Sequence, residues 1–343
     1  MKALVKTELG FGNLELQDVE EPKPGKGQVK IEVKYAGICG SDIHTYEGHY
    51  KVAAPVTLGH EFAGEVVEVG EGVTDYKPGD RVTSETTFYI CGECEYCKAG
   101  DYNLCNHRKG LGTQQNGGFA KYLIARKDSL HHLPANVSYK EAAMTEPLAC
   151  THHAVDKTEI NDGDIAVVIG PGPIGLFTAQ VAKSRGAKVI VTGLTNDKVR
   201  LEKAEELGLD YVANTQEQDV KELVNSLTDG YGADLVFECS GAVPAAKQGL
   251  DLLRKKGQYA QVGIFPEAVV QFDMEKVIQK EIRVAGSRSQ KPADWDPSLE
   301  LINNGSVNAK DMVTHEFDIS QWDEGYKAIK DGEAIKVLLT PID

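Results

Sequence analysis

The stretch CGECEYCKAGDYNLC, residues 91–105, holds four of the chain's seven cysteines. Cys91, Cys94 and Cys97 follow one another with two residues between, and Cys105 comes after seven more. In a reducing compartment such thiols bind a metal rather than each other. Four thiolates complete the tetrahedral shell of a zinc ion and leave no position open, so the spacing predicts a structural site that staples a loop. A ferredoxin-type iron–sulfur run needs a different final spacing and a following proline, whereas Asn106 follows Cys105.

A second set of residues is better suited to reaction chemistry. GICGSDIH carries Cys39, Ser41, Asp42 and His44, LGHEF carries His60 and Glu61, and MTEPLAC carries Glu146. A thiolate, an imidazole and a carboxylate suit a zinc ion that keeps one position open, where it acts as a Lewis acid on a bound oxygen. Taken one at a time these residues have ordinary readings: Cys39 as a small buried apolar group, His60 as a turn residue, Glu146 as a helix charge. Spacing leaves both readings open.

The third motif is VVIGPGPIG, with Gly170, Gly172 and Gly175 in a G-x-G-x-x-G turn. It follows the apolar run Ile165–Ile169 and opens a helix-like segment at Pro173 and Ile174, the context that gives the pattern weight. Gly170 makes the turn and Gly172 lets a pyrophosphate approach the backbone. Gly175 allows close helix–strand contact, and the helix amino terminus offers free N–H groups to the anion. The next strand, KVIVTG, ends in Gly193 where an NAD-binding site would carry an acid. With no carboxylate there, Thr195, Lys198 and Arg200 are donors for a 2′-phosphate, and the sequence leans to NADP over NAD.

These motifs sit in two textures. Up to about residue 150 the chain is rich in glycine and short β-like runs such as QVKIEVKYAGI and GEVVEVGEGV. From about residue 165 strands alternate with helices, which implies a parallel sheet covered on both faces. SYKE, near the join, reads as a capping box from Ser138 to Glu141. At 343 residues the chain exceeds what one core usually supports, so two domains are expected. A net charge of −15 without a basic cluster argues against nucleic-acid binding. The amino terminus, MKALVKTELGFG, lacks the apolar core of a signal peptide, and no run is long enough to span a bilayer. A cytoplasmic location is therefore expected.

Together, GICGSDIH, LGHEFAGEVVEVG, GDRV, the four-cysteine lobe, NGGFAKY, EPLA and VVIGPGPIG resemble the zinc-dependent medium-chain alcohol dehydrogenases over essentially the whole chain. CGSDIH and the glutamate of EPLA look like the polyol branch, which includes sorbitol and galactitol-phosphate dehydrogenases. The resemblance implies an α/β chain with a GroES-like β catalytic domain, residues 1–155 and 286–343, around a Rossmann doubly wound parallel-sheet domain, residues 156–285. It implies one catalytic zinc held by Cys39, His60 and Glu146, with Glu61 adjacent and able to exchange, and one structural zinc in the lobe. Ser41 and His44 match the proton-relay positions. Val262 and Gly263 lie on the nicotinamide side of an NAD or NADP site, and Arg288 is the candidate for a substrate phosphate.

The implied reaction is oxidation of a secondary alcohol of a sugar alcohol, or of its phosphate, to a ketose. A threonine or butanediol dehydrogenase is the alternative within the family, and a non-enzymatic nucleotide-binding protein the alternative outside it. A zinc-free quinone or enoyl reductase would need none of Cys39, His60 or Glu146. A homotetramer or homodimer is expected by the same resemblance.

Overall fold

The computed structural model describes residues 1–342. It contains two compact units. The first comprises Met1–Glu146, Gln290–Asn303 and the chain from Val313 onward; the second comprises Pro147–Ser289 and Asn304–Met312.

The first unit is organised on its longest strand, Gln28–Gly37. Its alternating apolar residues Val29, Ile31 and Val33 are buried, as the two-residue period of a strand requires. It pairs antiparallel with Glu61–Val69 on one side and with Tyr122–Arg126 and Lys336–Thr340 on the other. The core gathers Val29, Ile31, Phe62, Val66, Val82, Leu123 and Leu339. Strand Lys336–Thr340, near the carboxyl end of the chain, enters this sheet beside a strand from the first forty residues. In that register Gly37 faces Glu61 on one neighbour and Leu338 on the other. The capping box read from SYKE is present: the Ser138 hydroxyl accepts from Glu141 N, and the Glu141 carboxylate accepts from Ser138 N at 2.9 Å.

The second unit is a six-stranded parallel sheet. Its strands are β1 (Ile165–Ile169), β2 (Lys188–Gly193), β3 (Tyr211–Asn214), β4 (Ala233–Glu238), β5 (Leu253–Gln261) and β6 (Arg283–Gly286), in the spatial order β3-β2-β1-β4-β5-β6. This is the doubly wound dinucleotide-binding order, with its topological switch between β1 and β4. Every residue of β1 is buried, as befits a central strand covered on both faces.

The units divide at 146/147 and 289/290 rather than at the expected 155/156 and 285/286. Helix Thr145–Val155 begins with residues of the first unit, but from Pro147 it belongs to the second. The short segment 304–312 also belongs to the second unit, where Asn308 N donates to Gln180 Oε1 at 2.7 Å.

Candidate active site and metal centres

Helix Gly40–Tyr46 starts immediately after Cys39, which serves as its N-cap; Asp42 returns a carboxylate to Cys39 N at 2.9 Å. This places the Cys39 thiol at the head of the helix. His60 and Glu61 stand at the start of strand Glu61–Val69. The fold brings donor atoms of Cys39, His60 and Glu61 within 4.8 Å of one another. Burial works against a charged His60, but Asp42 and then Cys39 and Glu146 outweigh it and lift the imidazole well above its usual pKa. The surroundings are thus arranged for positive charge. His60 Nδ1 is buried without a hydrogen-bond partner, and Asp42 Oδ1 lies 3.9 Å away. Thiol, imidazole, carboxylate and an unsatisfied ring nitrogen together fit a zinc ion.

The two glutamates differ in their partners. Glu61 meets the Lys336 ammonium, with the two side chains only 1% and 3% exposed. Burial opposes the Lys336 charge, but Glu61, Cys39 and Glu146 together outweigh it and raise the lysine pKa. Glu146 stands outside the 4.8 Å cluster. Its charge still reaches His60 and Lys336, and its Oε1 accepts from Gln290 Nε2 at 3.2 Å.

Ser41 and His44 lie three residues apart on helix Gly40–Tyr46, hence on one face. Among the described residues no hydrogen bond joins them. His44 is exposed and faces Glu47 at 3.6 Å, whose carboxylate also takes Lys330 Nζ at 2.6 Å.

Cys91, Cys94, Cys97 and Cys105 converge, all four sulfurs within 4.8 Å of one another. Cys91 is 3.9 Å from Cys97 and 3.7 Å from Cys105. Sulfurs about 2.3 Å from one tetrahedral centre stand about 3.8 Å apart, so the cluster has the size of a zinc tetrathiolate. Cys94 N and Cys97 N donate to the sulfurs of Cys91 and Cys94. Backbone N–H groups of Glu93 and Cys94 pull Cys91 down to about 6, while burial and the neighbouring thiols push Cys97 up to about 12. Four thiols this close cannot all ionise without a compensating cation, and all seven cysteines are free of disulfides.

In the second unit Gly170 has φ +99°, and a Cβ there would fall 2.9 Å from Ser240. A Cβ on Gly175 would fall 1.8 Å from the Gly170 carbonyl. Gly172 is different: it caps helix Pro173–Ser184, and nothing lies within 4 Å of where its Cβ would be. Two glycines are required by the turn itself, and the third leaves open backbone at a helix amino terminus. That fits a pyrophosphate.

At Gly193 the structure supplies a reason the sequence did not. A Cβ would stand 2.8 Å from Pro171 Cγ and 3.1 Å from Leu201 Cδ2, so packing requires glycine there whichever coenzyme binds. Thr195 Oγ1 accepts from Asn214 at 3.0 Å, Lys198 lies 3.8 Å from Glu202, and Arg200 pairs with Asp197 at 3.2 Å. The missing acid therefore has a steric reading beside the chemical one. Val262 N and Gly263 N donate to the Glu238 carbonyl at 2.9 and 2.8 Å, at the carboxyl end of β5. Arg288 is exposed in the second unit, two residues before the chain returns to the first.

Three residues carry weight that the sequence did not disclose. Lys336 and Gln290 are far from their glutamate partners along the chain. Glu238 is fully buried, and its carboxylate accepts from Ser240 N, Gly241 N and Gln261 Nε2 at 2.9, 3.0 and 2.6 Å. It fastens the ends of β4 and β5 to each other. Only the acid closing the ADLVFE strand hinted at it.

The fold and these sites define a two-domain zinc and dinucleotide oxidoreductase, and comparison with known proteins bears this out. The model of the alcohol dehydrogenase GroES-like domain matches residues 25–135, and that of the zinc-binding dehydrogenase matches residues 173–304. The chain is 72% identical over 343 residues to sorbitol dehydrogenase of Halalkalibacterium halodurans, covering all of both chains. It is 49% identical to D-arabitol-phosphate dehydrogenase of Enterococcus avium, covering 99% of this chain and 97% of that one. A zinc-binding dehydrogenase from Sinorhizobium meliloti, bound to NADP, superposes with TM-score 0.90 at 30% identity over 99% of each chain. The chain belongs to the zinc-dependent medium-chain alcohol dehydrogenases. It is an enzyme of that family, and its cofactors are zinc, catalytic and structural, and a nicotinamide dinucleotide.

Proposed function

We propose that this dehydrogenase oxidises a secondary hydroxyl of a sugar alcohol to a ketone and passes the hydride to NAD or NADP. The observation that carries the reading is the 72% identity, end to end, with a sorbitol dehydrogenase. When bound, zinc supplies Lewis-acid polarisation of the hydroxyl and the nicotinamide accepts the hydride. Cys39 and His60 would hold the ion with a carboxylate from Glu146, or from Glu61, which already lies within reach of both and pairs with Lys336. Asp42 supplies a negative charge beside the His60 ring. Ser41 takes the hydroxyl proton and His44, at the solvent-facing side of the same helix, passes it outward. Gly172 and the N–H groups behind it receive the pyrophosphate, with Pro173 and Ile174 opening the helix. Val262 and Gly263 line the nicotinamide side.

The 49% identity with a D-arabitol-phosphate dehydrogenase favours a second substrate, the phosphate ester, with Arg288 as its recognition group. Assaying sorbitol, arabitol and their phosphates side by side with both coenzymes tests both. Oxidation of a polyol or its ester supports the proposal; turnover of only threonine or butanediol contradicts it. Preference for the ester that Arg288→Ala abolishes assigns the phosphate contact, and indifference to Arg288→Ala removes it.

Among the described residues no helix is long and apolar enough to cross a membrane. Seven free cysteines support a reducing, cytoplasmic setting. A homotetramer or homodimer is also part of this reading: β6 is a sheet edge, and Ile264, Val269, Met274, Ile278 and Val284 are exposed nearby in sequence. Light scattering on the purified enzyme tests it, and a monomer at working concentration would contradict it.

A further inference from the structure

We propose that His44, Glu47 and His49 form a third metal site, open to solvent, which takes a zinc ion or a similar divalent transition metal and thereby withdraws His44 from proton transfer. The site stands on its geometry; its effect on the rate rests on the reading of His44 as the outer end of the proton relay.

The donor atoms of the three side chains lie within 4.8 Å of one another. His44 Nδ1 and His49 Nδ1 each stand 3.6 Å from the same oxygen, Glu47 Oε2. That is too long for a hydrogen bond. It is close to the separation of about 3.4 Å between two ligands held about 2.0–2.1 Å from one tetrahedral ion. Lys330 Nζ takes the other oxygen, Oε1, at 2.6 Å, so the carboxylate is ordered while Oε2 faces both rings. The ammonium charge opposes a second cation, which makes this site weaker than the four-thiolate one. Two imidazoles and a carboxylate suit zinc, nickel or copper, whereas magnesium and calcium favour shells made of oxygen.

The backbone brings the second imidazole back to the first. Helix Gly40–Tyr46 is capped at Glu47, and the chain turns at Gly48 with φ +82°, where a Cβ would fall 2.8 Å from the Gly10 carbonyl carbon. His49 N and Tyr50 N then donate to the His44 carbonyl at 2.8 and 3.1 Å. The loop behind this turn is held in its turn: Lys6, 1% exposed, donates to the carbonyls of Gly10 and Gly12 at 2.5 Å each. The spacing of the three ligands is therefore set by hydrogen-bonded backbone. The His44 and His49 side chains are 63% and 75% exposed, so an ion reaches them without any opening of the fold. An imidazole that gives its lone pair to a metal no longer accepts a proton. Excess of the metal that the catalytic site requires would then slow the reaction by occupying His44.

The test titrates the enzyme, already loaded with its catalytic and structural zinc, calorimetrically with zinc chloride, nickel chloride and magnesium chloride, beside His49→Ala and Glu47→Gln. The rate of coenzyme reduction is followed over the same metal concentrations. The wild type binds one further equivalent of zinc or nickel and none of magnesium. Each variant weakens that binding about tenfold or more, at least the loss that follows removal of an outer-shell partner. His49→Ala keeps the wild-type rate without added metal and resists inhibition by it. Absence of a further equivalent, or one that both variants bind as tightly as the wild type, overturns the site. A further equivalent that the variants lose but that leaves the wild-type rate unchanged overturns the withdrawal of His44 alone. The titration needs no substrate, so it decides the site whichever alcohol the enzyme oxidises.

Discussion

Lys336 and Glu61 meet across Gly37. The register that sets Gly37 between Glu61 and Leu338 delivers a lysine from near the end of the chain to a glutamate beside His60. Removing one partner of a buried pair leaves the other charge stranded, at a cost of about 3–5 kcal/mol. Lys336→Met therefore destabilises the first unit by that order, and adding Glu61→Gln recovers most of the loss. Calorimetry on the single and double variants checks this; equal loss in both contradicts the pairing.

Gly37 itself is required by that approach. A Cβ there would stand 2.3 Å from Glu61 Oε2 and 2.9 Å from Lys336 Cε. Gly37→Ala forces the pair apart and costs about 1–3 kcal/mol, the usual range for overpacking. Its thermal midpoint is expected between those of wild type and Lys336→Met.

The glycines of the dinucleotide turn separate folding from binding. Gly172→Val meets open space, so it keeps the wild-type midpoint while weakening coenzyme binding about tenfold or more, a loss of at least about 1.4 kcal/mol. Gly175→Ala meets the Gly170 carbonyl and lowers the midpoint as well. Calorimetric titration with NAD and NADP distinguishes them. Gly193→Asp is a poor probe of coenzyme choice, because it strikes Pro171 before any coenzyme is involved.

How much of this was legible in the sequence depended on whether a signal was local. The cysteine lobe, the glycine turn and the Ser138–Glu141 cap are set by spacing, and each is where its spacing put it. The parallel sheet followed from strands alternating with helices. What stayed hidden was pairing at a distance. Nothing near Glu61 announces Lys336, and nothing near Glu146 announces Gln290, because both partners arrive on strands or segments that lie beyond the inserted unit. Helix Thr145–Val155 reads as one element in the sequence, and in the structure it is divided between the two units at Pro147. At Gly193 the absence of an acid has a steric cause as well as a chemical one, which the sequence does not display.

His131 gives the first unit a pH dependence of known sign. Its ring nitrogens face Asp296 at 2.8 Å and Glu85 at 3.4 Å, and the ring stacks on Trp295 with centroids 5.3 Å apart. Burial pulls its pKa down, but the two carboxylates outweigh it and raise it above the ordinary value. The stabilisation is complete below about pH 6.5 and is lost as pH rises through the folded pKa. The wild-type midpoint should fall over that rise more steeply than that of His131→Gln. Parallel slopes would contradict the charged pairing.

The most direct test is the rate of coenzyme reduction by a sugar alcohol before and after a chelator withdraws the labile zinc, with the lobe zinc still in place. Full loss of rate, restored by adding zinc back, is the predicted result. A rate that survives removal of that ion would contradict the account, as would fully loaded protein that leaves every sugar alcohol and phosphate ester unoxidised with either coenzyme.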